Sequence, residues 1–454
     1  MNYEAASLLI RGGRIIDPGQ GIDRPGDMLV ADGRILRLGG KFPADIAGEA
    51  KQSQTLDATG LVVCPGFVDL HCHLREPGFE AKETIATGTK AAAAGGFTAV
   101  CCMPNTNPPL DSPSVIASVK AKAGREGLIT VLLIACISKG RKGKELTDMD
   151  GLAGAGAVAF SDDGDPVADS QLMRLALERS RDLGLRVIDH CEDKALSDSG
   201  IMNEGRISAA LGLKGIPSAA EEVMVARNLI LAKLTGSRLH IAHVSTRGSV
   251  ELIRRAKSDG ISVTAEVTPH HLTLTENRAT GRFGRRFDTS SKVNPPLRTK
   301  EDVEALIKGL HDGAIDAIAT DHAPHTSTDK DCRPELAAFG ISGFETALGC
   351  LMSLVHKGGI SLVRLISKLT CEPARVIGRS DEFGTLRAGA PANITIFDPD
   401  REWVVDSSEF ASKGKNTPYD GYTFRGKVVA TVANGTIVHM DDSLAIATNP
   451  MKPG

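Results

Sequence analysis

Apolar and polar positions follow two regimes along the chain. Near the start, "SLLIRGGRIID", "DMLVADGRILRLG" and "QTLDATG" are short apolar runs broken by turn residues, and "ANITIFDPD", "REWVVD" and "GKVVATVANGTIVHM" repeat the habit near the end. Runs of this length bounded by Gly and Asp predict strands, and Asp32–Gly33 predicts a hairpin turn. Two β-rich ends around a different middle predict one small β-sandwich built from residues 1–60 and 384–454.

The middle, residues 61–383, alternates apolar runs with helix-length segments. In order the runs are "LVVCPGFVDL", "FTAVCCM", "ITVLLIAC", "AVAFS", "RVIDHC", "RLHIAHV", "SVTAEVT" and "IDAIAT". Between them, Asp169 to Gly184 and Ser218 to Gly236 show helical spacing, the first with an Asp or Ser N-cap and a Gly at its end. Eight strands alternating with helices over about 260 residues predict an α/β fold, a (β/α)8 TIM-like barrel. A doubly wound open sheet is the alternative, weakened because no glycine-rich phosphate fingerprint follows the first strand.

A barrel of this kind gathers reactive side chains at the C-terminal ends of its strands. His71 and His73 close the first run, Asn105 follows the second, and Asp162 and Asp163 close the fourth. His190, His243 and Asp321 close the fifth, sixth and eighth. Alternate strand residues share a face, so His71 and His73 project into one space. Four imidazoles and two aspartates at one mouth form a nitrogen–oxygen metal site suited to Zn²⁺, with Mn²⁺, Fe²⁺ and Co²⁺ as competitors. Such a set is enough for two ions if one carboxylate bridges.

The remaining histidines read differently. His240, three residues before His243, faces the other side of its strand and is expected in packing or at the surface. His311, His356 and His439 sit away from strand mouths, His322 points away from the site, and His270 and His271 are expected to support it from behind.

Composition narrows the class without changing the site. A formal charge of −3 argues against a surface devoted to nucleic acid or an anionic membrane. The nine cysteines are scattered with no C-x-x-C pair, which reads as free thiols in a reducing compartment. The first residues lack the features of a leader, and no run approaches the roughly 20 apolar residues of a membrane span. A cytoplasmic location is expected.

With these residues assembled, the chain resembles the amidohydrolase superfamily and, within it, the dihydroorotases. "DLHCHLREPG" and "ATDHAPHTSTDK" carry the resemblance, supported by "KETIATGTKAAAAGGFTAVCCMPNTNP" and "KVNPPLR". Cys72 departs from the aliphatic residue usual there. Related hydantoinases place a carbamylated lysine at the end of strand four; here the strand ends in "AFSDDG", as in dihydroorotases of the larger bacterial type, which use an aspartate. The match falls on Asp163, with Asp162 as its alternate.

The resemblance implies His71, His73, Asp163, His190, His243 and Asp321 as ligands of one or two zinc ions. It implies reversible cyclisation of N-carbamoyl-L-aspartate to L-dihydroorotate, a step of pyrimidine synthesis, with a metal-activated hydroxide as nucleophile and Asp321 as general base and acid. Arg75 is placed to grip the substrate carboxylate. Asn105, Asn294, His325 and the backbone of Phe339 and Gly340 are implied as further substrate contacts. Thr326 to Arg333 is expected to cover the site, and Glu76 and Pro77 to fix a turn. A homodimer and an association with aspartate carbamoyltransferase are both compatible with it. Hydantoinase or allantoinase activity and a ligand-depleted assembly scaffold are the competing readings; the first lacks its lysine, and the second conflicts with six competent ligand positions.

Overall fold

The computed structural model describes residues 8–42, 54–281, 287–442 and 444, and the backbone of 446–448. Eight parallel strands stand in sequential order: β1 (Phe67–Cys72), β2 (Phe97–Cys102), β3 (Thr130–Ala135), β4 (Ala157–Phe160), β5 (Val187–Asp189), β6 (Leu239–Ile241), β7 (Val263–Val267) and β8 (Ala317–Ile318). A parallel bridge between Cys72 and His322 joins the last strand's exit to the first strand. Asp69 reinforces that seam, accepting hydrogen bonds from Thr320 N at 2.8 Å and Thr320 Oγ1 at 2.7 Å. All eight expected strands are present.

The strands are short apolar runs because both faces are buried. Val68, Leu70, Ala99, Cys101, Leu132, Ile134 and Ile188 fill the barrel interior, while alternate residues such as Val100, Cys102 and Leu133 meet the surrounding helices. The helix Ser170–Asp182 opens on Asp169, whose carboxylate accepts from Gln171 N and Leu172 N, and the chain turns out of it through Gly184 at φ +69°. The helix Ala219–Thr235 ends at Gly236 in the left-handed conformation, φ +65°.

The run "LVVCPGFVDL" serves two sheets. Val62–Pro65 pairs with Ile394–Val404 in the terminal sheet, and the barrel begins at Phe67. Gly66 is the pivot: a Cβ there would lie 2.1 Å from Thr98 Oγ1, so only glycine allows the chain to pass.

Both ends of the chain contribute to one connected nine-stranded sheet. Leu8–Asp17 runs antiparallel to Ile22–Ala31, which turns through Asp32 (φ +50°) and Gly33 (φ +72°) into Arg34–Gly39, the expected hairpin. Residues of "ANITIFDPD" and "REWVVD" form one strand, Ile394–Val404, irregular between Asp398 and Glu402. Ile10, Met28, Val63, Ile396, Val429 and Val432, drawn from both ends of the chain, bury one shared core.

Candidate metal and substrate site

A bulge creates the opening of the site. Val68 and Leu70 face the barrel interior, so plain alternation would send Cys72 inward and both histidines outward. The β1–β2 register shifts between Asp69 and Cys72, and a bulge resets the phase. Cys72 packs outside, and His71 and His73 turn together into the mouth, with ring centroids 5.4 Å apart.

Four other strand exits supply the rest. His71 Nε2 lies 3.2 Å from Asp163 Oδ1 and 3.7 Å from Asp321 Oδ1. His73 Nε2 lies 3.1 Å from Asp321 Oδ1 and 3.6 Å from Asp163 Oδ2. His243 Nε2 and His190 Nδ1 approach Asp163 Oδ1 at 3.8 and 3.9 Å. Three non-glycine residues here, Arg75 (φ +63°), His243 (φ +31°) and Asp321 (φ +46°), hold left-handed backbone, a cost of about 1–3 kcal/mol each that surrounding structure must sustain.

The donor set fits a divalent ion. His71–Asp163–His243 and His71–His73–Asp321 each bring their ligand atoms within 4.8 Å of one another. Ligands about 2.1 Å from a tetrahedral ion stand roughly 3.4 Å apart, and the nitrogen–oxygen pairs here stand 3.1 to 3.8 Å apart. His71 Nε2, Asp163 Oδ1 and His243 Nδ1 are buried with no hydrogen-bond partner among the described residues. Buried polar atoms are ordinarily satisfied, so several orphans in one cluster mark a place built for something else. Burial opposes the charge on both aspartates, yet the facing imidazoles hold Asp163 and Asp321 well below the usual carboxylate range.

A cavity of about 350 Å³ opens above this cluster. Every ligand and substrate contact expected from the sequence lines it except His71, which lies beneath. Asn105 turns Oδ1 to His73 Nδ1 (2.9 Å), and Asn294 donates from Nδ2 to Glu192 Oε2 (3.0 Å). Arg75 Nε donates to Pro324 O at 3.2 Å, but among the described residues its guanidinium has no carboxylate in ion-pair contact. His325 is pinned on both sides: Nε2 lies 2.8 Å from Phe339 O and Nδ1 3.3 Å from Lys82 Nζ. An ammonium can only donate, so Nδ1 accepts, while Nε2 lies between Phe339 O and the Arg75 Nη2 donor 3.2 Å away. Burial, with Arg75 and Lys82 alongside, pushes the His325 imidazole down to about 2 and keeps it neutral.

The neighbouring aspartate has a different task. Asp162 Oδ1 accepts from Ile137 N (2.8 Å) and Ser138 N (3.1 Å), and Oδ2 from Ser138 Oγ, all in the loop after β3. Glu76 receives Ile85 N at 2.9 Å and so secures its turn. His322 points away, 3.4 Å from Glu83 and stacked on Phe344. His271 holds Pro295 O at 3.0 Å, next to Asn294. Thr326–Arg333 begins with a short capped helix, and Lys330 Nζ ties it to Ala338 O (2.8 Å) and Gly340 O (3.0 Å).

Several residues escaped the sequence reading. His240, expected in packing or at the surface, is fully buried, and what the sequence did not show is its contact 3.1 Å from Glu266 Oε2. Glu192 meets His190 Nε2 at 3.0 Å, a contact signalled by its place two residues after that histidine. Glu266 lies 3.0 Å from His71 Nδ1; a charge inside an otherwise apolar strand was its signal.

Known proteins are similar to this chain. A chain named dihydroorotase from Pelotomaculum thermopropionicum is 53% identical over 96% of this chain and 99% of its own length. The chain belongs to the dihydroorotase family. A second dihydroorotase, from Caldanaerobacter subterraneus subsp. tengcongensis, is 52% identical over 95% of this chain and 96% of its own. The profile of the dihydro-orotase-like family matches residues 60–249, the part that carries β1 to β6. Among solved structures, the L-hydantoinase (dihydropyrimidinase) from Arthrobacter aurescens superposes with a TM-score of 0.83 at 27% identity, over 97% of this chain and 98% of that one. This chain thus shares its overall fold with that structure. No helix among the described residues is long and apolar enough to cross a membrane.

Proposed function

We propose that this chain is a dihydroorotase that interconverts N-carbamoyl-L-aspartate and L-dihydroorotate. The observation that carries the reading is the pairing of two features in one cavity: convergent imidazoles and carboxylates below, and above them an arginine without a carboxylate of its own. His71, His73, Asp163, His190, His243 and Asp321 are the residues that would hold one or two zinc ions. A bound ion supplies a water acidified toward neutral pH and polarises the carbonyl under attack.

The protein's own groups do the rest. Asp321, ionised because imidazoles surround it, takes a proton from the attacking water and returns it to the departing ring nitrogen. Ring closure runs the same transfers in reverse. Arg75 binds the substrate carboxylate through its planar fork, which is held in place by Nε donating to Pro324 O and by Nη2 lying 3.2 Å from His325 Nε2. Asn105, Asn294, neutral His325 and the backbone of Phe339 and Gly340 surround the ring.

The test is ring opening of L-dihydroorotate, followed by ultraviolet absorbance, with zinc measured on the same sample. Turnover with metal present, and none with dihydrouracil, supports the reading, because dihydrouracil lacks the carboxylate that Arg75 receives. Preference for dihydrouracil would assign the chain to the hydantoinase side of the superfamily. Metal without turnover of either compound would overturn the proposed substrate.

A further inference from the structure

One buried carboxylate lies below the cluster and takes no part in the steps above. Glu266 is wholly buried on β7, with Oε1 3.0 Å from His71 Nδ1 and Oε2 3.1 Å from His240 Nε2. His240 places its other nitrogen 2.8 Å from Thr264 Oγ1. None of these three residues lines the cavity.

We propose that Glu266, braced by His240, is the positioning residue that sets the ring orientation and tautomer of His71 for metal binding. The inference deepens the metal-centre reading above and rests on it. A neutral imidazole carries one proton, and an ionised carboxylate can only accept. For His71 to bind an ion through Nε2 its one proton must sit on Nδ1, where Glu266 Oε1 lies 3.0 Å away to receive it, with Nε2 turned toward Asp163.

The brace makes the arrangement specific. Each oxygen of Glu266 serves a different ring, so the carboxylate cannot swing from His71 without also releasing His240. The other rings are backed less firmly. His73 leans on the neutral Asn105, and His190 leans on Glu192, which it shares with the half-exposed Lys194. A carboxylate behind a ligating histidine raises its basicity and adds negative charge beneath the ion.

Glu266→Gln probes the tautomer directly. An amide offers one oxygen for two N–H donors, so its NH₂ must face one ring. If it faces His71, the ring proton moves to Nε2 and blocks the ligand position. Metal-free wild type and variant are titrated with zinc, and with cobalt to follow its visible spectrum, against a competing chelator. Glu266→Gln is expected to weaken metal binding about 10- to 100-fold. His240→Asn, which leaves the carboxylate but removes its brace, is expected to give a smaller loss in the same direction.

In a His71→Asn background, Glu266→Gln is expected to cause no further loss, because its effect passes through that ring. Circular dichroism and melting of the metal-free proteins confirm that the variants fold. Metal affinity within about twofold of wild type in a folded Glu266→Gln chain would overturn the inference alone. So would a loss that persists undiminished in the His71→Asn background. Failure of the wild type itself to bind zinc or cobalt would overturn the metal-centre reading and this inference with it.

Discussion

Two buried clusters of charged residues stand at the same end of the barrel, two residues apart in sequence where they come nearest. One contains His243; the other contains Ser245 and Thr246, gathered around Glu221 and Arg298. In the second cluster every group is answered. The Glu221 carboxylate accepts from Ser245 N at 3.1 Å, from Thr246 N at 3.2 Å and from the Ser245 hydroxyl. Arg298 donates to Asn203 Oδ1 at 2.9 Å and Ile216 O at 2.7 Å. In the first cluster His71 Nε2, Asp163 Oδ1 and His243 Nδ1 are left without donors or acceptors. Burial and charge are common to both, so neither identifies a reactive site. Saturation separates them: a satisfied cluster fixes loops, and an unsatisfied one is a place that could hold an ion.

The comparison breaks first at Asp321. Asp321→Asn removes the proposed proton carrier and is expected to lower kcat by about 10²- to 10⁴-fold, in steady-state assays of dihydroorotate opening, with the protein still folded. A loss below tenfold would place the proton transfer on another group. The matching change in the saturated cluster is Glu221→Gln, which leaves an amide facing donors that a carboxylate had satisfied. It is expected to cost about 2–4 kcal/mol in urea unfolding while kcat per folded molecule stays within twofold. A large fall in kcat at unchanged stability would erase the distinction between the clusters.

The two arginines sharpen the contrast at smaller scale. Arg75→Lys keeps the charge but loses the planar fork, and KM for dihydroorotate is expected to rise about 10- to 100-fold with a lesser change in kcat. Arg298→Lys should instead lower the melting temperature and leave KM in place. Equal KM values for wild type and Arg75→Lys would mean the substrate carboxylate is held elsewhere.

How far the sequence revealed these features depends on which residues encode them. The eight barrel strands were legible because strands buried on both faces read as plain apolar runs, and the polar residue that ends each run marks the mouth. The split of the first run at Gly66 was not legible, since apolar residues suit either sheet equally. Nor was the β1 bulge: His71 and His73 do share a face, but the parity that turns it inward comes from the register with β2. Asp162 and Asp163 could not be separated by alternation because both follow Phe160, where β4 ends. Glu266 was overlooked because attention to strand ends passes over a charge within β7, although a buried strand seldom carries one without a partner.

A third, half-buried carboxylate shows the opposite balance and yields the mildest test. Glu345 accepts from Ala411 N at 2.6 Å and lies near Glu83, with no imidazole facing it. Burial outweighs its amide partners and pushes the carboxyl up from 4.5 to about 7. Between those values the folded chain keeps a proton that the unfolded chain has released, so stability falls as pH rises through that window and levels off above it. Glu345→Gln mimics the protonated group and should remove the slope. Urea unfolding at pH 5 and pH 8 is expected to favour the variant over wild type by roughly 1–2 kcal/mol more at the higher pH, after allowance for the carboxyl's partial exposure. Parallel stability curves would mean that the Ala411 and Ser412 amides keep Glu345 ionised, and that hydrogen bonds win there as they do at Glu221. The three carboxylates would then differ only in whether an atom is left unanswered, which at Asp163 it is.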